Sequence, residues 1–437
     1  MRTLTLPMVP TIHRATLMSA CLTLLFGCVE RSGEPSTPGR APLTEREATF
    51  LEDHWRPIEP QGSAPRRYST LEASLAPEAC GACHPRQFED WRASLHAKAM
   101  GPGVLGQLIE MGSAQAVLCQ RCHAPLAEQM PEAATDERDV ALRGQGLVCA
   151  ACHVRSHRRF GPPPGTNSIA MTDPDVPLPH DGFVVETAFT KAAFCRGCHQ
   201  FEASEYALNG KLLENTYEEW RASAYPAQGI HCQDCHMPER RHLWRGIHDP
   251  ETVAGAVEIH ATMPSAELME GDVVAVTITV ANTGVGHYFP TYVTPKVFLR
   301  GELLREDGTV MPATIQQAVI GREVPLDLSQ EVFDTRIAPG EERSVTYEQR
   351  VPPGAEQLRV TVEVHPDHFY HRFFEAVLAG GGGGEGRALL EQALADTEAS
   401  KFTLYQDVFA LRRDLRDTND KTTVELPQSS GGTESDE

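Results

Sequence analysis

Ten of the twelve cysteines of this 437-residue chain fall into five copies of one pentapeptide, Cys-x-x-Cys-His. The copies are Cys80-Gly81-Ala82-Cys83-His84, Cys119-Gln120-Arg121-Cys122-His123, Cys149-Ala150-Ala151-Cys152-His153, Cys195-Arg196-Gly197-Cys198-His199 and Cys232-Gln233-Asp234-Cys235-His236. Two thiols separated by two residues can add to the two vinyl groups of one porphyrin, and the next histidine then presents its ring nitrogen to the iron. The pattern therefore predicts five covalently bound c-type haems, with His84, His123, His153, His199 and His236 as iron ligands. Zinc ribbons pair Cys-x-x-Cys units but have no need of a histidine after every second cysteine. Disulfides likewise leave the five histidines without a purpose.

Around these motifs, from Pro77 to His248, the chain consists of short helical pieces and Pro/Gly loops such as Gly161-Pro162-Pro163-Pro164-Gly165. Few places remain for an aliphatic core, so the porphyrins themselves are expected to form the interior. The net charge of -21, from 60 acidic against 39 basic residues, argues against a nucleic-acid partner.

The flanks differ in texture. Residues 1–28 read as a lipoprotein signal: Arg2, His13 and Arg14 precede an apolar stretch from Ala15 to Gly27, and Cys28 stands where acylation would anchor the mature chain. An ordinary signal peptide is the alternative. Residues 29–76, rich in Pro, Ser and Gly, read as a flexible linker. Haem-binding residues occupy 77–248. From 249 to 370, alternation such as Val274-Ala275-Val276-Thr277-Ile278 predicts an antiparallel β-sandwich of immunoglobulin-like size. Residues 371–437 are expected to form a short helical segment and a disordered acidic tail. The expected fold is thus multidomain: a mostly helical and irregular multihaem domain, then the sandwich, then the helical segment. No later stretch is apolar enough to span a bilayer.

A second axial ligand must be sought among the remaining histidines. Phe88-Glu89-Asp90-Trp91-Arg92-Ala93-Ser94 recurs as Tyr217-Glu218-Glu219-Trp220-Arg221-Ala222-Ser223. On a helix His96 would share a face with Phe88 and Trp91, which makes it the leading distal ligand. Tyr225 takes its place in the second copy. His231 precedes Cys232 and points away from its own haem. His157 follows His153 at helical spacing, His248 has Asp249 beside it, and His287 lies in a loop directly after a strand, from which it could reach a haem. Each of these four is alternatively an ordinary polar histidine. His180, His242, His260, His365, His368 and His371 are expected to be surface or packing residues.

The stretch from Cys80 to Ala97, the run Gly146 to His153 and the run Cys232 to Pro238 together resemble the multihaem c-type cytochromes of the cytochrome c-552/c-554-like group, relatives of hydroxylamine oxidoreductase-type proteins. That resemblance implies bis-histidine haems in packed pairs, and a role in electron transfer or in redox of small compounds. The first expectation is an exported, lipid-anchored electron carrier in the periplasm, at the outer membrane or at the cell surface. It would serve redox partners such as other cytochromes or quinol-linked complexes. The alternative is an oxidoreductase in which one haem keeps an open position for nitrite, hydroxylamine or tetrathionate, with Tyr225 near that haem. No lysine replaces a motif histidine, as it does in pentahaem nitrite reductases.

Overall fold

Prolines cut the cysteine-rich half into short helices, entering at the first turn where a missing N–H costs nothing. The computed structural model describes residues 43–55, 59–111, 113–130, 142–165, 178–264 and 267–412. The signal, Cys28, the start of the linker and the acidic tail lie outside the described residues. Helices α1 (Glu45–Trp55), α2 (Pro85–Ala93), α3 (Pro102–Glu110), α4 (Ser113–His123) and α5 (Thr216–Ala222) carry this half, with Pro85 and Pro102 opening α2 and α3. Among the described residues no helix is long and apolar enough to cross a membrane.

The linker expected over 29–76 is folded from residue 43 onward, except at residues 56–58, which are not described. One face of α1 carries Phe50, His54 and Trp55 into an aromatic cluster with Phe160, Phe189 and Phe194. Arg46 pairs with Glu186 at 2.8 Å, and Arg155 donates to the His54 carbonyl at 2.6 Å. Polar composition alone suggested a tether, but this aromatic stripe supplies the burial that holds the segment down.

The sandwich is built from β1 (Val257–Thr262), β2 (Val273–Asn282), β3 (Lys296–Leu304), β4 (Gln316–Ile320), β5 (Glu342–Arg350), β6 (Gln357–His365) and β7 (Phe402–Ala410). One antiparallel sheet has the order β5-β2-β1 and the other β7-β6-β3-β4. Alternation in β2 sends Val274, Val276, Ile278 and Val280 inward, against Leu299 and Leu303 of β3 and Leu358, Val360 and Val362 of β6. Each such side chain contributes roughly 1.5–3 kcal/mol by leaving water.

The C-terminal segment departs from expectation. Helices α6 (His368–Ala379) and α7 (Arg387–Ala399) are followed by β7, which pairs along β6 from Gln357↔Ala410 to Val364↔Phe402. The sandwich therefore closes around a helical insert. That insert packs back on α3: a Cβ at Gly103 would meet the Phe374 ring at 2.7 Å, and one at Gly106 would meet Leu390 at 2.7 Å.

Buried charge also joins the two halves. Arg322, fully buried, donates to the carbonyls of Leu208, Lys211 and Leu212 and to Glu331. Lys211 pairs with Glu331 and Asp334, both at 2.9 Å, and Arg336 pairs with Glu219 at 2.8 Å.

Candidate haem-binding site

Four of the five pentapeptides end a helical turn on their histidine: Ser113–His123, Cys149–His153, Arg196–His199 and Cys232–His236. In the first, His84 stands at the N-cap of α2. A helical turn sets the two thiols one turn apart with the imidazole following on the same side. Backbone carbonyls then fix the rings. Nδ1–H of His123 donates to Ala99 O at 2.6 Å, that of His153 to Phe160 O at 2.8 Å, and that of His236 to Arg245 O at 2.7 Å. With Nδ1 engaged, Nε2 keeps the lone pair that an iron needs.

All ten cysteines are free thiols. Together with the five histidines they line one cavity of about 2750 Å³. This is several times the roughly 300–1,000 Å³ of a pocket for one small ligand. Its wall is apolar: Leu71, Leu95, Met111, Leu118, Phe183 and Tyr206 are exposed large side chains, and all of them face this space. Among the described residues no three His, Cys, Asp or Glu converge as a zinc site requires. Thiol pairs, ring nitrogens and an apolar wall fit porphyrins.

Across the cavity, motif histidines meet second imidazoles. The ring centres of His153 and His242 are 6.2 Å apart, those of His199 and His96 6.3 Å, and those of His236 and His287 6.4 Å. Two metal–nitrogen bonds of about 2.0 Å each, plus the reach from nitrogen to ring centre, add up to such a separation. His242 and His287 also direct Nδ1 at carbonyls, of Arg240 at 3.0 Å and Tyr288 at 2.9 Å. Burial pushes His153, His199 and His287 down to about 4 and His96 down to about 3, so all four are neutral, as iron ligands must be. The His84 ring is depressed first by burial and then by the charge of His180. Nδ1 of His180 is turned to Gly182 O at 2.9 Å, leaving Nε2 free.

For His123, as for His84, no histidine ring among the described residues stacks across from it as in those three pairs; Tyr370, Tyr292 and Glu214 line the same cavity. Tyr370 feels the Cys119 thiol and Glu214 that of Cys122. Burial pushes the Glu214 carboxyl up to about 7.

The other sequence candidates do other work. His157 places Nε2 at 3.0 Å from Gly62 O. His231 accepts from Ala192 N through Nδ1 and caps its own helix. His248 pairs with Asp367 at 2.9 Å, rather than with Asp249. Tyr225 packs on Gly286, beside the His287 loop, where the His287 ring faces that of His236. His180 and His242, expected on the surface or in packing, line the cavity instead. Trp244 lies 4.5 Å from the His96 ring and 5.1 Å from that of His242. His54, buried against Phe50 and Phe194, carries no motif that would have marked it.

The motifs lie beside one another in pairs: the thiols of Cys80 and Cys149, of Cys122 and Cys198, and of Cys195 and Cys232 each perturb the other's ionisation. His96, from just after the first motif, faces His199 of the fourth.

The family described as cytochrome c554 and c-prime matches residues 79–154. No curated protein matches the sequence significantly. Among solved structures, a penta-heme cytochrome c552 from Thermochromatium tepidum is 17% identical with a TM-score of 0.56, over 78% of this chain and 100% of that one. The sporulation control protein Spo0M of Bacillus subtilis is 15% identical over 25% of this chain and 43% of its own, with a TM-score of 0.13. With its thiol pairs and facing imidazoles around one apolar cavity, and the family match carried by residues 79–154, the chain has the motifs and the fold of a multihaem c-type cytochrome.

Proposed function

We propose that the chain holds five c-type haems and carries electrons between redox partner proteins, exported and tethered to a membrane through a lipid on Cys28. The observation that carries the electron-transfer reading is the set of facing imidazoles at His153/His242, His199/His96 and His236/His287. Bound haem supplies one-electron chemistry; the protein holds each ring in register, keeps the imidazoles neutral and excludes water. The anchor rests on Cys28 after the apolar run Ala15 to Gly27.

Pyridine haemochrome absorbance per chain, together with the intact mass, tests the first part: five haems are expected, and fewer overturns that number. Labelled fatty acid on the parent chain but not on Cys28→Ser is expected for the anchor, and an unlabelled parent overturns it.

A second reading is favoured by His123, across from which no histidine ring stacks. A haem there without a second imidazole would keep an open position for a small nitrogen or sulfur compound, beside Glu214, Tyr292 and Tyr370. An electron paramagnetic resonance spectrum of the oxidised protein decides it. One high-spin haem that shifts on adding nitrite or hydroxylamine supports the open site, and a wholly low-spin spectrum removes it.

A further inference from the structure

The duplicated helix segment repeats in three dimensions as well as in sequence. Trp91 Nε1 donates to Leu147 O at 2.7 Å, and Trp220 Nε1 to Ile230 O at 3.0 Å. Leu147 and Ile230 each stand two residues before a haem motif, at Cys149 and Cys232. Leu147 N donates to His96 O at 2.9 Å, as Ile230 N does to Tyr225 O at 3.1 Å. Ser94 and Ser223 each return a hydroxyl to the tryptophan carbonyl at 2.7 Å. The two copies are therefore one device used twice, each fixed to the chain just before the haem motif it serves.

The residue before each tryptophan is an acid, 5% exposed at Asp90 and 6% at Glu219. Asp90 accepts from Arg241 at 2.7 and 2.5 Å and from the backbone N–H of His242 at 3.0 Å. Glu219 accepts from Arg336 at 2.8 Å, from the backbone N–H of Tyr288 at 3.1 Å and from Thr291 at 3.1 Å. His242 faces His153 of the motif next to Leu147, and His287 faces His236 of the motif next to Ile230. The two distal loops are unrelated in sequence and come from different parts of the fold. In both cases one helix grips the near side of a haem site with its tryptophan and the far side with its carboxylate.

We propose that Asp90 and Glu219 are equivalent positioning residues that hold the distal imidazoles His242 and His287 over their irons. A buried carboxylate bonded to an arginine and to a loop N–H makes charge-assisted bonds of fixed direction. Such outer partners set the orientation of a metal ligand and are costly to remove. The inference rests on haems being bound at His153 and His236, which the haem count on the unaltered protein tests separately.

The test is spectroscopic. Asp90→Ala and Glu219→Ala are each expected to convert one haem, a different one in each variant, from low to high spin, with added imidazole restoring the low-spin signal. His242→Ala and His287→Ala identify which haem is which. Because the carboxylate acts through the ligand, Asp90→Ala with His242→Ala should show no more high-spin haem than His242→Ala alone, whereas Asp90→Ala with His287→Ala should show two haems affected. Alanine variants that stay wholly low-spin, or additivity within the Asp90/His242 pair, would overturn the proposal. Should the alanine variants fail to retain haem, Asp90→Asn and Glu219→Gln, which keep shape and an acceptor oxygen, are expected to shift the low-spin signal of that same single haem. Spectra identical to the parent in those variants overturn it equally.

Discussion

The His287 ring lies 6.4 Å from that of His236 and nearly parallel to it, with 8° between their planes. One residue belongs to the last haem motif and the other to a loop that leaves strand β2 of the sandwich. His287→Ala should therefore convert one haem to high spin and leave the sandwich folded, because the loop packs on the Val274 to Val280 core through Val285 and Phe289 and not through His287. Near-infrared magnetic circular dichroism reads the loss of one bis-histidine haem; an unchanged spectrum removes His287 as a ligand.

Tyr225 sits at the position that His96 holds in the first repeat, but no unfilled imidazole pair is near it. Tyr225→Phe is expected to leave the high-spin content of the oxidised protein unchanged, whereas His96→Ala should raise it by one haem. A high-spin change in the tyrosine variant would restore Tyr225 as a neighbour of an open iron.

His54 offers a pH test free of haem ligation. Burial, then the nearby Arg155 charge, pushes it from 6.5 down to about 3. Above pH 6.5 it is neutral whether the chain is folded or unfolded. As pH falls through 6.5 the unfolded chain takes up a proton that the folded chain refuses until about 3. Stability is therefore lost on acidification across that window, by about 1.4 kcal/mol per pH unit for one proton. Replacing His54 by Leu should reduce the acid slope of urea-unfolding free energy by one proton. An equal slope in both proteins would show that His54 is not kept neutral.

Arg322 bonds three carbonyls and Glu331 while fully buried. Arg322→Met removes the cation and leaves these acceptors in the interior. Breaking a buried pair from one side costs roughly 3–5 kcal/mol. Guanidinium unfolding followed by tryptophan fluorescence should show a loss of that size, and a change within error would mean that Glu331 is satisfied by Lys211 alone.

The haem motifs were legible because their chemistry needs contiguous residues, and the strands of the sandwich because alternation is local. His96 and His287 could be singled out from a repeat and from a loop beside a strand. His180 and His242 could not, since what makes each useful is its place across a cavity from a residue distant in the chain. Residues 43–76 were misread because the Pro/Ser/Gly clusters at 33–39 and 60–65 set the reading while Phe50, His54 and Trp55 do the packing. Strand β7 was hidden for a related reason: its partner β6 lies on the far side of two helices in sequence. Asp90 and Glu219 stood in the repeat in plain view, but an acid in an exposed-looking helix gives no sign of the loop it will hold.

That the partner of His236 comes from beyond strand β2 has a consequence for assembly order. On the proposed ligation, a chain emerging from its N-terminus can receive the porphyrin of this motif as soon as Cys232 and Cys235 are exposed, yet its iron would not be capped by His287 until the following sheet has begun to form. Completion of the redox array is thereby tied to maturation of the neighbouring sheets, so a molecule with a misfolded sandwich would betray itself by one uncapped iron.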